Sequence, residues 1–196
     1  PRGLPSFNDQ KVKGYRFDLK LAKELIEESG VDVRNMTPLV INTNAEYLDL
    51  ATFVAKQWEA IGVKTKIELL DTGILREGMR NSKLQMFRAS WIADYPDAES
   101  YLTVFYSKNP APPNYTRFSN RVYDRLYEQA IREPDVEKRY ELYQAMDKII
   151  VDEAPVIFLF YDESSVFISN QLKGYTNNGL NMLNVNGLYK IDKSKN

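Results

Sequence analysis

Leu39-Val40-Ile41, then residues 45–60 with Leu48, Ala51, Ala55 and Trp58 on one stripe, then Val63-Lys64-Thr65-Lys66-Ile67-Glu68-Leu69: this stretch decides the fold. The first run reads as a short apolar strand within 37–43. Spacings of three and four put the apolar residues of the middle segment on one face of a helix, which Gly62 ends. In the last run Val63, Thr65, Ile67 and Leu69 alternate with Lys64, Lys66 and Glu68, the period of a strand with one buried face. Strand, helix and strand in that order form a βαβ unit, which calls for parallel strands and a right-handed crossover. The expected fold class is therefore α/β.

Working outward, residues 1–14 carry two Pro and two Gly without periodicity and read as a linker or extended arm. Asp18 is placed to cap a helix over 19–29 that Gly30 stops. Downstream, a short helix over 72–80 and a strand over 84–92 extend the alternation. The pattern then breaks into the loop Ala93-Asp94-Tyr95-Pro96-Asp97, a helix near 98–106 and a Pro-rich loop from Ser107 to Tyr115. Helices over 121–132 and 135–152 follow, the second with Val136, Tyr140, Tyr143, Met146 and Ile150 at helical spacing. Pro155 stops it, and Val156–Tyr161 and Val166–Ser169 read as strands before an Asn- and Gly-rich tail.

The chain has 196 residues, with 26 Lys+Arg against 27 Asp+Glu, no His and no Cys. Without imidazole or thiol there is no Ser-His-Asp or Cys-His nucleophile, no His- or Cys-based zinc site and no disulfide. A net charge of −1 gives no electrostatic reason to expect a nucleic-acid partner. No apolar run is long enough to span a bilayer. An opening of Pro1-Arg2-Gly3-Leu4-Pro5 is that expected of a piece of a longer chain.

Asp94, Asp97 and Glu99 form an acidic cluster at the end of a strand. Paired glycosidase carboxylates normally come from separate strands at a set separation, so a structural reading is stronger: Pro96 shapes a turn and Asp97 caps the helix that follows. The spacing and central Gly of an EF-hand are missing, and Gly73 and Gly78 fit no phosphate loop. Lys64 and Lys66 lie on the polar face of an alternating strand, and Tyr140 and Tyr143 read as core. Trp91 fits either a core or the wall of a pocket.

The segment Arg88-Ala89-Ser90-Trp91-Ile92-Ala93-Asp94-Tyr95-Pro96-Asp97-Ala98-Glu99-Ser100-Tyr101-Leu102 resembles the family motif of oligopeptide- and dipeptide-binding proteins of ABC importers. Gly14-Tyr15-Arg16-Phe17-Asp18, Gln57-Trp58-Glu59-Ala60-Ile61-Gly62-Val63, Asn114-Tyr115, Tyr123-Asp124-Arg125-Leu126, Arg139-Tyr140 and Ala154-Pro155-Val156-Ile157 follow in the family's order. The resemblance covers essentially the whole chain and corresponds to the C-terminal half of such a protein.

That resemblance implies one lobe of a periplasmic-binding-protein-like, two-lobe α/β fold. Residues 1–14 would be an arm from the missing lobe, 15–155 the α/β ligand-binding lobe, and 156–196 a hinge-crossing segment returning to the other lobe. It implies a non-enzymatic receptor that holds a peptide or similar small solute in an interlobe cleft and passes it to a membrane ABC permease. The receptor would be periplasmic or at the cell surface, with lipid anchoring through the missing N-terminal half as one form.

By the same resemblance Asp94 pairs with a peptide's α-ammonium, Arg88 aligns with an Arg that meets a peptide carboxylate in some relatives, and Trp91 and Tyr95 border the cleft. Tyr47 takes the approximate place of a His that some oligopeptide binders use for a carboxylate. No cofactor, metal ligand or catalytic residue is implied. Two other classes stand beside this one: a carboxylate hydrolase or glycosidase using Asp94 and Asp97, and an interaction or chaperone-like module without solute capture.

Overall fold

Asp18 opens the first helix as its position predicts. In the computed structural model, which describes residues 1–162, 165–177 and 183–191, its carboxylate accepts the N–H groups of Lys20 and Leu21 at 3.0 and 2.9 Å. Helix α1 (Leu19–Ser29) ends at Gly30, whose φ of 69° is left-handed and whose N–H returns to the Glu27 carbonyl.

The βαβ unit forms as expected. Strand β1 (Leu39–Thr43) leads through a 3-10 turn (Ala45–Tyr47) into α2 (Leu48–Glu59) and then β2 (Thr65–Leu69). The two strands are parallel, with Leu39 opposite Thr65 and Thr43 opposite Leu69. Ile41, Ala51 and Ala55 are buried between sheet and helix, with Val54, Trp58, Ile67 and Met86 packed against them. Of the apolar stripe read from the sequence, Ala51, Ala55 and Trp58 face this core, while Leu48 at the start of α2 is exposed. Lys64 and Lys66 are exposed, as the alternation requires.

Helix α3 (Thr72–Arg80) leads to β3 (Met86–Phe87), which joins β1 on its free side, also parallel, for a sheet order β2-β1-β3. The strand expected over 84–92 is therefore only two residues long. Strand length depends on the partner: β1 ends at Thr43 and turns helical at Ala45, so the Arg88 N–H, bonded to the Asn42 carbonyl at 3.0 Å, is the last rung.

The helix expected near 98–106 is a single turn, α4 (Glu99–Leu102), continued as a 3-10 turn (Thr103–Phe105). Helices α5 (Arg121–Ala130) and α6 (Val136–Glu153) follow. The Asp135 carboxylate caps α6 through the N–H groups of Glu137 and Lys138. Tyr143, Met146 and Ile150 are buried on its inner stripe, and α4 packs on α6. Tyr143 is thus core, as its spacing suggested.

The strands expected at 156–161 and 166–169 are not strands among the described residues. A strand is stabilised by a neighbour, and none lies alongside: Ile157, Phe158, Leu159, Phe160 and Tyr161 are all exposed. A short antiparallel pair, β4 (Leu172–Lys173) and β5 (Tyr189–Lys190), follows. Parts of the expected Asn- and Gly-rich tail, 178–182 and 192–196, lie outside the described residues.

The chain gathers into two compact units. The first takes Pro1–Val12, Ile92–Leu102 and Arg125–Asn196, and the second takes Lys13–Trp91 and Thr103–Asp124. Among the described residues no helix is long and apolar enough to cross a membrane.

Candidate functional site

In the second unit the three strands run parallel, so they end on one edge of the sheet. The carboxyl edge of a parallel sheet is where α/β proteins place ligands. Its residues are polar here: Asn42 and Thr43 are 2% and 0% exposed at the end of an otherwise apolar strand. The Asn42 side chain donates to the Met86 carbonyl at 2.9 Å and fastens β1 to β3. The Asn44 amide nitrogen donates to the Thr72 hydroxyl at 3.3 Å. Thr43 Oγ1 and Asn44 Oδ1 are buried without a hydrogen-bond partner among the described residues. None of these polar groups was singled out from the sequence. The available signal was the switch from Leu-Val-Ile to Asn-Thr-Asn at the end of one short strand and its exit.

Arg88 sits on this edge directly after β3, and Tyr47 closes the 3-10 turn after β1. The two candidates meet: the Arg88 guanidinium carbon lies 3.3 Å from the centroid of the Tyr47 ring. No ion pair or hydrogen bond engages that guanidinium among the described residues. Trp91, three residues further on in the same unit, keeps 36% of its surface exposed. A separate cavity of about 460 Å³ lies in this unit, lined by Val40, Asn42, Glu68, Leu70, Glu77 and Gln85 among others. None of the five sequence candidates lines it.

Asp94 and Tyr95 belong to the first unit, on the loop before α4. The Asp94 N–H donates to the Ser100 hydroxyl at 3.0 Å, and Ser100 is 2% exposed. Asp97 Oδ1 accepts the Glu99 N–H at 2.9 Å, the helix-capping role read from the sequence. Glu99 accepts hydrogen bonds from the hydroxyls of both Tyr95 and Tyr127. Tyr143 bonds to Asp97. Its burial, then this hydrogen bond and the carboxylate's charge, push the phenol well above the usual tyrosine range.

The loop is therefore held at several points by its own helix and by tyrosines of α5 and α6. Asp94 alone of its carboxylates is exposed and has no side-chain partner among the described residues. Ser100, Tyr127 and Tyr143 do this holding, and sequence reasoning assigned none of them to the site. Among the described residues no group of three or more acidic side chains is placed to hold a metal ion.

Residues 1–113 match the model of the family described as bacterial extracellular solute-binding proteins, family 5 Middle. The periplasmic murein peptide-binding protein MppA of Escherichia coli K12 is 29% identical over 157 residues, covering 79% of this chain and 29% of MppA. Among solved structures, the periplasmic binding protein DppA from Helicobacter pylori, in complex with the peptide STSA, aligns with a TM-score of 0.71 at 27% identity over 79% of this chain and 31% of that one. A structure of the E. coli murein tripeptide-binding protein MppA aligns over 98% of this chain and 39% of that one, with a TM-score of 0.80 at 24% identity, a likeness of fold. The chain spans about a third of the length of the curated relatives it matches.

Proposed function

The chain belongs to family 5 of the bacterial extracellular solute-binding proteins, and from that premise we propose that it is the C-terminal part of a receptor that captures peptides outside the cytoplasm for an ABC permease. Residues 15–155 form one ligand-binding lobe in this reading, and 156–196 cross a hinge to a lobe built by the rest of the polypeptide. Closure of two lobes over a solute buries it from water. The receptor is periplasmic or surface-bound, with a lipid anchor elsewhere on the polypeptide as one way to hold it there.

The observation that carries the reading is the Asp94 carboxylate, exposed and unpaired on a loop whose backbone is fixed by Ser100. Such a group is ready to take an α-ammonium. A charge-assisted hydrogen bond of that kind contributes about 1.5–3 kcal/mol net. Trp91, Tyr95, Arg88 and Tyr47 are the further solute contacts that the family resemblance implies. The murein peptide-binding protein MppA and the complex of DppA with the peptide STSA support the solute class. Asp97 is committed to capping α4 and to Tyr143, which favours binding over a two-carboxylate hydrolase. No catalytic residue is assigned.

The test is calorimetry of the full-length receptor and its Asp94→Asn variant, using tripeptides with free and N-acetylated amino termini. Asp94→Asn is expected to weaken the free-amino peptides by about 10- to 100-fold and to leave the acetylated ones unchanged. Equal affinities in the two proteins for free-amino peptides would falsify the ammonium role.

A further inference from the structure

We infer that Asn186 is a self-modifying site: its side chain closes onto the backbone nitrogen of Gly187, loses ammonia and ages the chain to aspartyl and isoaspartyl forms, which loosens the β4–β5 pair. The inference stands on local geometry and does not depend on the receptor reading. The Leu188 N–H is bonded to the Val185 carbonyl at 3.2 Å, so Asn186 and Gly187 are the two central residues of a turn. Gly187 has a φ of 88° and Asn186 is not left-handed, the pattern of a type II turn. The N–H of the second central residue takes no part in closing such a turn. Among the described residues the Gly187 N–H has no acceptor and the exposed Asn186 carboxamide has no hydrogen-bond partner.

The reaction needs these conditions. Once hydroxide has taken the Gly187 amide proton, the nitrogen attacks Asn186 Cγ. The new N–Cγ bond closes a five-membered succinimide, the Cγ–Nδ2 bond breaks, and Nδ2 leaves as ammonia with a proton from water, which regenerates the hydroxide. Water then opens the ring. Breaking N–Cγ leaves an ordinary aspartyl residue, and breaking the bond from that nitrogen to the main-chain carbonyl carbon leaves the chain routed through the side chain. One water is consumed and one ammonia released, with no oxidant or reductant. Glycine favours the attack because no β-carbon shields its nitrogen.

Other asparagines are held back. Asn42 and Asn114 are each 2% exposed. The Asn35 amide donates to the Asp32 carboxylate at 2.8 Å. Asn109 is bonded to Thr103 and precedes Pro110, which has no N–H to attack with.

The product has little room. Gly174, with a φ of 80°, could not carry a β-carbon against the Gly187 carbonyl oxygen, so the turn lies backbone to backbone on the end of β4. The strands share only the pairs Leu172–Lys190 and Lys173–Tyr189, with the Ile191 N–H on the Gln171 carbonyl at 2.7 Å. An isoaspartyl link adds a methylene to the main chain and a carboxylate to the turn. So short a pair is marginal by itself and does not absorb the change.

The experiment incubates full-length receptor and its Asn186→Gln variant in heavy-oxygen water at neutral and mildly alkaline pH, then maps peptides by fragmentation mass spectrometry. Asn178-Gly179, outside the described residues, is a second Asn-Gly, and fragment ions separate the two. Wild type is expected to convert Asn186 at least about tenfold faster than Asn35 or Asn109, in proportion to hydroxide, with heavy oxygen in both products. Amide exchange at Lys190 and Ile191 should quicken in aged wild type and not in aged Asn186→Gln. An intact Asn186, or conversion no faster than at Asn35, overturns the inference. Conversion at Asn186 with unchanged exchange overturns the loosening of β4–β5, and equal quickening in the variant assigns it to another site and overturns it too.

Discussion

The buried hydroxyl of Ser100 accepts the backbone N–H of Asp94 at 3.0 Å. A helix residue six positions downstream thereby sets where the loop carries its one exposed, unpaired carboxylate. Ser100→Ala removes the acceptor and leaves a partly buried N–H to find water. The expected cost is about 1–3 kcal/mol, read as a lower denaturation midpoint. In the full-length receptor it should also weaken free-amino peptides, since Asp94 is then less well placed. An unchanged midpoint and unchanged peptide affinity together would show that the loop holds itself.

Tyr143 makes the stability of the chain fall in alkali. Its phenol is pushed up by burial and by Asp97, while an unfolded tyrosine titrates near 10.0. Below that pH both states hold the proton and the contribution is complete. Above it the unfolded chain releases the proton and the folded one retains it, so stability drops by up to about 1.4 kcal/mol per pH unit from this group. Urea midpoints of wild type and Tyr143→Phe from pH 8 to 11 should converge, the variant starting lower and falling less. Parallel curves would exclude Tyr143 as the source.

Gly78 admits no larger side chain without movement. A β-carbon there would meet Leu84 Cγ at 2.8 Å, and Gly78 is buried in α3. Gly78→Ala should cost about 1–3 kcal/mol, as overpacking of a filled site does. Adding Leu84→Ala should cost less in that background than in wild type, a coupling that a double-mutant cycle reads directly. Strict additivity would mean that α3 shifts to make room.

Asp124 ties the loop after the 3-10 turn Thr103–Phe105 to α5. Its carboxylate accepts both the N–H of Ser107, at 3.0 Å, and the Ser107 hydroxyl. Asp124→Ala should cost about 1.5–3 kcal/mol, because a charged acceptor of two bonds is lost. Ser107→Ala removes only one of them and should cost less. Hydrogen exchange at the Ser107 amide should rise in Asp124→Ala, and an unaltered rate there would count against the tie.

The elements that periodicity made legible were those whose signals are local. Asp18 and Gly30 bracket α1, and the alternation from Val63 to Leu69 places β2. Where the signal depended on a partner, the reading went astray. The strand after Leu84 stops at Phe87 because β1 has run out, and Val156–Tyr161 has strand-forming residues with no strand beside it. The site divides the same way. Asp94 and Arg88 are candidates only through the resemblance of Arg88–Leu102 to a family motif. The stack of Arg88 on Tyr47, the Ser100 bond and the tyrosines on Glu99 join residues that only the folded chain brings together.

The two units are threaded through each other along the sequence, and this gives the protein a timetable. The carbonyl of Ser6 is bonded to the side chain of Gln144 within the first unit. At about 5–20 residues per second, a ribosome needs roughly 7 to 28 seconds to deliver the second partner after the first. The second unit draws nothing from beyond Asp124, so all its residues have been made before α6 is synthesised. Residues 1–12 must therefore wait for their partners while the parallel sheet folds, and a product stalled before α6 would carry a finished sheet with residues 1–12 still unpaired.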